Sequence, residues 1–362
     1  MRRGVIHAEL VLAPALFAQP RLQNARLETR AVAGSLDGTF RSILSAQTAA
    51  LWVGYAAPQI AGERNLCCWN SDNGMQYQGR VLEPQSGNTA FPRPGGTVKL
   101  EGATELFVLF RIENKQVEKI RTFSPDCNID AGGLAFLWLT GVNPAQSVAL
   151  LESLVASLVP ASDAKAERRL ANGAISAIAL HRDPAADAAL DRLSAPAQSE
   201  ETRRQAAFWL GNARGRHGYE SLQRILRDGP NQDPSDRVRE HAVFALTQSK
   251  EPEAIPAIAR IAHDDKSARV RSQALFWLAQ TAGRQISETA IRQAIDNDPE
   301  TQVKKKAVFA LTQMKNGDGV PLLIEIARNN RNAVVRKEAM FWLGQSKDRR
   351  ATQFFEELLV KR

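Results

Sequence analysis

Hydrophobic positions follow helical spacing near the start of the chain and strand-like alternation after it. Between residues 19 and 48 the apolar residues at helical spacing are Leu22, Leu27, Val32, Leu36, Phe40, Ile43 and Leu44. We predict one helix or two short ones there. From residue 51 to about residue 123, short apolar runs are divided by turn residues, with alternation at Val98 and Leu100 and again at Phe107 and Leu109. We expect a small antiparallel sheet there, with a hairpin that turns at residues 113–115.

Helical spacing returns further along the chain. Residues 142–158 predict a helix whose start is marked by Asn143, Pro144 and Ser147. The stretch 161–166 is small and polar, which is typical of a boundary between domains. We therefore predict an N-terminal α+β domain over residues 19–160 and a helical domain over residues 164–362.

One segment recurs through the helical domain. The copies are QAAFWLGN, HAVFALTQ, QALFWLAQ, KAVFALTQ and EAMFWLGQ, and their second residues, all alanines, are spaced by 36, 32, 33 and 32 residues. A weaker copy, GAISAIAL, lies a further 32 residues upstream. Each copy follows another amphipathic segment and a short turn rich in Asp and Asn. Such a period predicts a mainly α fold: an α-solenoid of about six two-helix repeats beside the small α+β domain.

Two columns of residues in the copies face away from the predicted core arc, which contains Val238, Ala242, Ala245 and Leu246. The aromatic column is Phe208, Phe244, Phe276, Phe309 and Phe341, and the polar column is Asn212, Gln248, Gln280, Gln313 and Gln345. Either the rings stack between repeats while the amides cap neighbouring helices, or the two columns form a stripe that binds a partner. Next to them lie variable columns that would tune partner choice: Arg204, Glu240, Ser272, Lys305 and Lys337, and Gln205, His241, Gln273, Lys306 and Glu338.

Two further columns receive structural interpretations. The residue three after each alanine alternates between small and large, as Ala177, Trp209, Ala245, Trp277, Ala310 and Trp342. We interpret these tryptophans as core residues that pack against small ones in neighbouring layers. A cationic column comprises Arg203, Arg239, Arg271, Lys304 and Arg336, and we interpret it as a charge ladder that meets aspartates of the turns, for which Asp236, Asp264, Asp265, Asp296 and Asp298 are available.

The repeated helix, Asp-containing turn and Val-Arg pair resemble the HEAT-like repeats of the phycobilisome-lyase type. The pair recurs as Val238-Arg239, Val270-Arg271 and Val335-Arg336, with Val303-Lys304 as a variant. The resemblance covers residues 164–362 and implies a right-handed superhelix whose second helices line a concave face. The first domain, with WVGYAAP, CCW and SPDC, resembles the N-terminal part of exported bacterial HEAT-repeat proteins.

The first residues and the cysteines indicate the cellular compartment in which the protein is expected to work. Residues 1–18 combine a basic start with an apolar stretch, as a signal peptide does, so we expect export to the periplasm or the cell exterior; the alternative is an N-terminal amphipathic helix in a cytoplasmic protein. Cys67, Cys68 and Cys127 all lie in the first domain. In an oxidising compartment either Cys67 or Cys68 would pair with Cys127. We expect no membrane-spanning helix, no metal site and no cofactor.

These features favour a scaffold that binds a protein or peptide on the concave face, and we recognise no catalytic motif. An enzyme of the HEAT-repeat lyase or hydroxylase type is the first alternative. The hydroxylases of that family take their iron ligands from His-Glu pairs, whereas none of the five histidines, His7, His181, His217, His241 and His263, is followed by Glu. Nucleic-acid binding is the second alternative, because the net charge is +8. The basic residues are spread along the chain, however, whereas a dedicated nucleic-acid-binding protein concentrates them on one face. The oligomeric state stays open.

Overall fold

The computed structural model describes residues 19–62, 66–67, 69–72, 75–83, 103–158, 164–227 and 232–360. The chain divides into two compact units: one runs to Leu150 and includes His181–Asp183, and the other comprises Leu151–Leu180 and the chain from Pro184 onward. The predicted signal peptide, Val98, Leu100 and Cys68 lie outside the described residues.

Two mixed sheets form the N-terminal unit. Its strands are β1 (Arg21–Gln23), β2 (Arg26–Ala31), β3 (Leu51–Pro58), β4 (Trp69–Asp72), β5 (Met75–Val81), β6 (Glu105–Glu113), β7 (Gln116–Phe123), β8 (Asn128–Asp130) and β9 (Ala135–Thr140), with the helix α1 (Leu36–Ala46). The helix α2 (Pro144–Ala156) begins in this unit and ends in the second. The described strands are ordered β2-β9-β3-β6-β7 in one sheet and β1-β8-β5-β4 in the other.

The antiparallel sheet expected over residues 51–123 is confirmed, because the described pairings β3–β6, β6–β7 and β4–β5 are all antiparallel, but the complete sheets are mixed because strands from outside that range join them. Strand β9 lies between β2 and β3 and is parallel to both, whereas β3–β6 and β6–β7 are antiparallel. Parallel neighbours need a crossover connection, and α1 supplies the one that carries the chain from β2 to β3. The predicted hairpin is confirmed, because Asn114 and Lys115 both adopt positive φ between β6 and β7.

The helix predicted over residues 19–48 is present only as α1. Residues 21–23 and 26–31 are strands instead, and every residue of β2 is exposed. Leu22 packs against the core whereas Leu27 is exposed, so their helical spacing does not form one apolar face, and pairing of β1 with β8 and of β2 with β9 decides the conformation. Ser35 begins α1 by accepting the Gly38 N–H on its side chain.

Aromatic side chains and a disulfide occupy the core of this unit. Trp52, Phe107 and Trp138 are buried together with the cystine. Cys127 pairs with Cys67, and their Cα atoms lie 5.2 Å apart. Of the two pairings that the sequence left open, the structure therefore forms the one with Cys67.

The second unit is an α-solenoid of two-helix repeats. Its helices are α3 (Ala164–Leu180), α4 (Ala185–Leu193), α5 (Glu200–Ala213), α6 (Gly215–Leu226), α7 (Asp236–Gln248), α8 (Ala254–Asp264), α9 (Ala268–Thr281), α10 (Arg284–Asn297), α11 (Thr301–Leu311), α12 (Val320–Asn329), α13 (Ala333–Gln345) and α14 (Arg349–Val360). From α3 to α13, consecutive odd-numbered helices pack against each other. Each even-numbered helix packs on an odd-numbered neighbour in sequence, so the repeated alanine segments all fall in one layer.

The turns between helices are fixed by buried ion pairs. Asp265 accepts the backbone N–H of Ser267 and also the guanidinium of Arg239. Asp298 does the same for Glu300 and Arg271. The equivalent turn of the preceding repeat uses Asp233, which binds Arg203 at 2.6 Å.

The charge ladder predicted from the sequence is therefore confirmed at Arg203, Arg239 and Arg271, although not with every predicted aspartate. Asp265 and Asp298 are partners and Asp236 binds Arg239 as well, but Asp264 is exposed and contacts His263. Lys304 and Arg336 donate to backbone carbonyls, those of Asp296 and Asn330. An exposed carboxylate such as that of Asp264 is a poor structural partner because water competes for it.

Candidate binding face on the odd-numbered helices

The five phenylalanines predicted to face away from the core lie at equivalent places on α5, α7, α9, α11 and α13. Phe208, Phe244, Phe276 and Phe309 are half-buried, and Phe341 is 55% exposed. Successive odd-numbered helices are adjacent, so the rings approach one another along the layer. The structure brings this predicted column together on one face.

Together with three tryptophans the phenylalanines form a continuous row of rings, which we call the aromatic ladder. Its order is Trp209, Phe208, Phe244, Trp277, Phe276, Phe309, Trp342 and Phe341, with neighbouring ring centroids 5.4, 6.2, 4.8, 5.1, 6.3, 4.9 and 5.0 Å apart. These distances are those of favourable aromatic pairs. The ladder therefore has a definite geometry before any partner binds.

The interpretation of the tryptophans as core residues is wrong. Trp209, Trp277 and Trp342 are half-buried, whereas Ala245 and Ala310 at the equivalent positions are fully buried. Each indole of α9 and α13 reaches back over the preceding repeat: Trp277 contacts Phe244 and Trp342 contacts Phe309. The large residue thus covers the surface beside the small one of its neighbour. Large and small residues alternate as predicted, but the tryptophans lie on the face whereas the alanines lie in the core.

The polar column lies beside the ladder. Asn212, Gln248, Gln280 and Gln313 are half-buried and Gln345 is exposed. Gln248 and Gln313 donate their amides to the hydroxyls of Thr247 and Thr312, the residues just before them. These two glutamines therefore bond within their own helices instead of capping neighbouring ones.

A cavity of about 400 Å³ opens on this face between α7 and α9. It is lined by Arg204, Arg237, Glu240, His241, Phe244, Gln273 and Trp277. Phe244 and Trp277 belong to the aromatic ladder, and four of the others come from the columns predicted to vary around it. The cavity is therefore continuous with the ladder.

The charged side chains around the cavity differ in how closely they are paired with opposite charges. Glu240 accepts both Nε and Nη2 of Arg269, at 3.0 and 2.8 Å. Arg204 lies 3.2 Å from Glu201, and Arg237 lies 3.9 Å from Glu200 with 70% of its side chain exposed. Burial lowers the pKa of His241, and the nearby Arg204 cation lowers it further while Glu201 opposes that effect.

Sequence reasoning missed the cavity because it assigned Trp277 to the core. The signal was present: each tryptophan directly follows a ladder phenylalanine, so on a helix it lies only 100° around from that residue. His241 was placed correctly, in a column beside the stripe.

Among the described residues, no cluster of three or more His, Cys, Asp or Glu side chains could hold a metal ion. Within the same part of the chain, no helix combines the length and the apolar character needed to cross a bilayer.

Comparison with known proteins identifies the repeats. Residues 186–279 and 288–362 match the family described as HEAT repeats. A search of the curated proteins gave no match.

Solved structures that are similar include human deoxyhypusine hydroxylase in complex with glycerol, at 20% identity over 58% of this chain and 77% of that one, with a TM-score of 0.29. The complex of CpcE and CpcF of phycocyanin lyase from Nostoc sp. PCC7120 matches at 20% identity over 56% and 76%, with a TM-score of 0.31. The Escherichia coli protein YibA matches at 21% over 58% and 76%, with a TM-score of 0.36. Similarities this low carry no information about activity.

Proposed function

The second unit of this chain is an array of HEAT repeats, and on that premise we propose that the protein is a scaffold that binds a partner protein on the face of its odd-numbered helices. HEAT repeats are in general protein-interaction modules, which ranks this class first. The resemblance that implies a superhelix would make this face the concave one.

The aromatic ladder is the observation that carries the proposal. Its rings are held by mutual contacts at 4.8 to 6.3 Å and keep part of their surface exposed to solvent. Rigid, half-exposed aromatic residues supply much of the affinity at protein interfaces because they bury large apolar areas at little cost in conformational entropy. The flanking amides would add hydrogen bonds to an extended peptide or a helix.

The charges on this face favour a protein partner over a nucleic acid. Glu240 pairs with Arg269, and Glu338 pairs with Lys305. Acidic side chains therefore interrupt the basic ones along the described part of the face. A phosphate backbone is bound best by cations without carboxylates between them.

We propose a binding role in place of a catalytic one, and a location outside the cytoplasm. The Cys67–Cys127 disulfide supports export, because disulfides persist mainly in oxidising compartments. Amino-terminal sequencing of the protein from fractionated cells tests this: a chain that begins near residue 19 in the periplasm or medium supports export, and an intact cytoplasmic chain contradicts it.

The experiment on function compares partner capture by the wild type and by a variant with Phe244→Ala, Phe276→Ala and Phe309→Ala. We expect the specific partner to be lost while circular dichroism shows unchanged helicity. A matched control, Phe355→Ala on α14, removes a half-buried aromatic residue outside the ladder and should capture the partner as before.

A second variant guards against unfolding of the first. Gln248→Lys, Gln280→Lys and Gln313→Lys alter the polar column without touching a ring. The partner, once purified, is titrated against each variant by calorimetry. Full affinity in both folded variants would rule out this face as the binding site.

A further inference from the structure

The cavity between α7 and α9 differs from the rest of the ladder in that a buried donor has no acceptor. The Trp277 Nε1 is buried and, among the described residues, has no hydrogen-bond partner. A buried N–H without an acceptor is destabilising because its hydrogen bond to water is lost and not replaced. A ligand group that accepts a hydrogen bond from this N–H would therefore gain binding affinity at this position.

The last repeat shows what such an acceptor looks like. In α13 the equivalent indole, that of Trp342, donates to the carboxylate of Glu338 at 2.9 Å. The same carboxylate lies 3.2 Å from the Lys305 ammonium. A carboxylate thus satisfies the indole and a cation from the preceding odd-numbered helix at the same time.

In α9 the residue equivalent to Glu338 is not a carboxylate. The residue four before Trp277 is Gln273, which is neutral and lines the cavity. The cations are present: Arg204 and Arg237 line the cavity, and their ion pairs with Glu201 and Glu200 are partly exposed. Glu240 is the single carboxylate among the residues that line the cavity, and it already accepts hydrogen bonds from Nε and Nη2 of Arg269.

We propose that this cavity receives an acidic side chain of the partner, so that the face selects an extended segment with Asp or Glu close to an apolar residue that packs on the ladder. The carboxylate accepts the Trp277 N–H, as Glu338 accepts that of Trp342, and it lies near Arg204 and Arg237 of the cavity lining. This inference rests on the proposed function and adds the chemistry of the partner.

The test uses the full chain and a phage library of random dodecapeptides. We expect enriched peptides to share an Asp or Glu near an apolar residue. For one such peptide, replacing its acid by the amide should weaken binding to the wild type about tenfold, the effect of a charge-assisted hydrogen bond. Against Arg204→Gln/Arg237→Gln the same replacement should change binding less than about twofold, whereas the charge-matched control Arg224→Gln/Arg292→Gln on α6 and α10 should behave as the wild type.

A variant that carries its own carboxylate gives a second, independent readout. Gln273→Glu places the acid where Glu338 lies in α13, so it should compete with an acidic peptide and weaken its binding while leaving the amide analogue unaffected. Gln205→Glu, at the equivalent position of α5 and not in the cavity lining, should have no such effect.

The outcomes separate this inference from the proposed function. Peptides that bind through the ladder phenylalanines without any preference for an acid overturn the inference and leave the scaffold proposal intact. Unchanged affinity of the acidic peptide for Gln273→Glu also overturns it. If no peptide is enriched, the inference fails, and partner capture by the phenylalanine variants alone decides the function.

Discussion

Single buried arginines hold the repeat turns together, and Arg239 shows the arrangement most completely. Its guanidinium is fully buried, donates to the Asp233 carbonyl at 2.7 Å and contacts the carboxylates of Asp236 and Asp265. Arg239→Ala leaves Asp265 buried without its cation. We expect the free energy of unfolding to fall by about 3–5 kcal/mol, measured by urea denaturation.

Arg269 is the matched control for Arg239. It forms a bidentate pair with Glu240, at 3.0 and 2.8 Å, that is shorter than the Arg239–Asp265 pair, but 60% of its side chain is exposed. Arg269→Ala should therefore cost less than about 1 kcal/mol, because water already screens and solvates both charges. Similar losses for the two variants would contradict the structural role given to the buried column.

His241 gives a prediction about pH. Its pKa in the folded protein lies below the ordinary value of 6.5, chiefly because the ring is buried and also because Arg204 is near. Between the two pKa values the unfolded chain binds more protons, so stability rises with pH across that window, is complete above 6.5 and is lost as pH falls through it. NMR titration of the ring should show a midpoint below 6.5.

Two variants check the stated causes of that shift. Arg204→Gln should move the His241 midpoint upward, and Glu201→Gln should move it downward, since Glu201 stabilises the protonated ring. A downward movement in Arg204→Gln would show that the arginine does not act on the ring as described. Binding of an acidic peptide in the cavity that His241 lines should raise the midpoint.

At the scale of elements, the spacing between odd-numbered helices is uneven. A Cβ added to Gly211 of α5 would lie 2.1 Å from the Ala245 carbonyl oxygen of α7, so these two helices need glycine where they meet. In α9 the equivalent residue is Ala279, which is buried without difficulty. We expect Gly211→Ala to destabilise the protein by about 1–3 kcal/mol in urea denaturation.

Gly344 of α13 provides the comparison for Gly211. It occupies the equivalent position, and no atom lies within 4 Å of its added Cβ. Gly344→Ala should stabilise its helix by up to about 1 kcal/mol, as alanine does in an unhindered helical position. An equal response at both glycines would disprove the close approach of α5 and α7.

The same elements show how far sequence reasoning reaches. The repeats were predictable because their period, apolar arcs and turn aspartates all agree, and the β6–β7 hairpin was predictable because Asn114-Lys115 suits positive φ. Strands β1 and β2 were missed since their residues are stabilised by pairing with distant segments, β8 and β9. No local pattern encodes that pairing.

The candidate site was predictable in part for a similar reason. The phenylalanine column follows from helical geometry within one repeat. The position of Trp277 depends on the next repeat, because the indole reaches back to Phe244. Its unpaired N–H depends on Gln273 standing where α13 has glutamate. Such features emerge only when neighbouring repeats are placed side by side.

For the whole molecule, the two units differ in how covalent chemistry stabilises them. The repeats contain no cysteine, whereas Cys67–Cys127 closes a loop with a sequence separation of 60 residues in the N-terminal unit. Closing a loop of that length stabilises a fold by roughly 4 kcal/mol in the chain-entropy model. Cys67→Ser/Cys127→Ser should therefore increase amide hydrogen exchange in β3, β6 and β9, as measured by mass spectrometry. Reduction of the wild type with dithiothreitol should increase exchange in the same strands.

The variant Cys68→Ser tests which of the two adjacent cysteines forms the disulfide with Cys127. If Cys67 is the partner of Cys127, this variant keeps the protection of the oxidised wild type and still loses it on reduction. Loss of protection in oxidised Cys68→Ser would assign the disulfide to Cys68 instead. Cys67 and Cys127 are buried in the core with Trp52, Phe107 and Trp138, so the protection of that core reports which thiol is bonded.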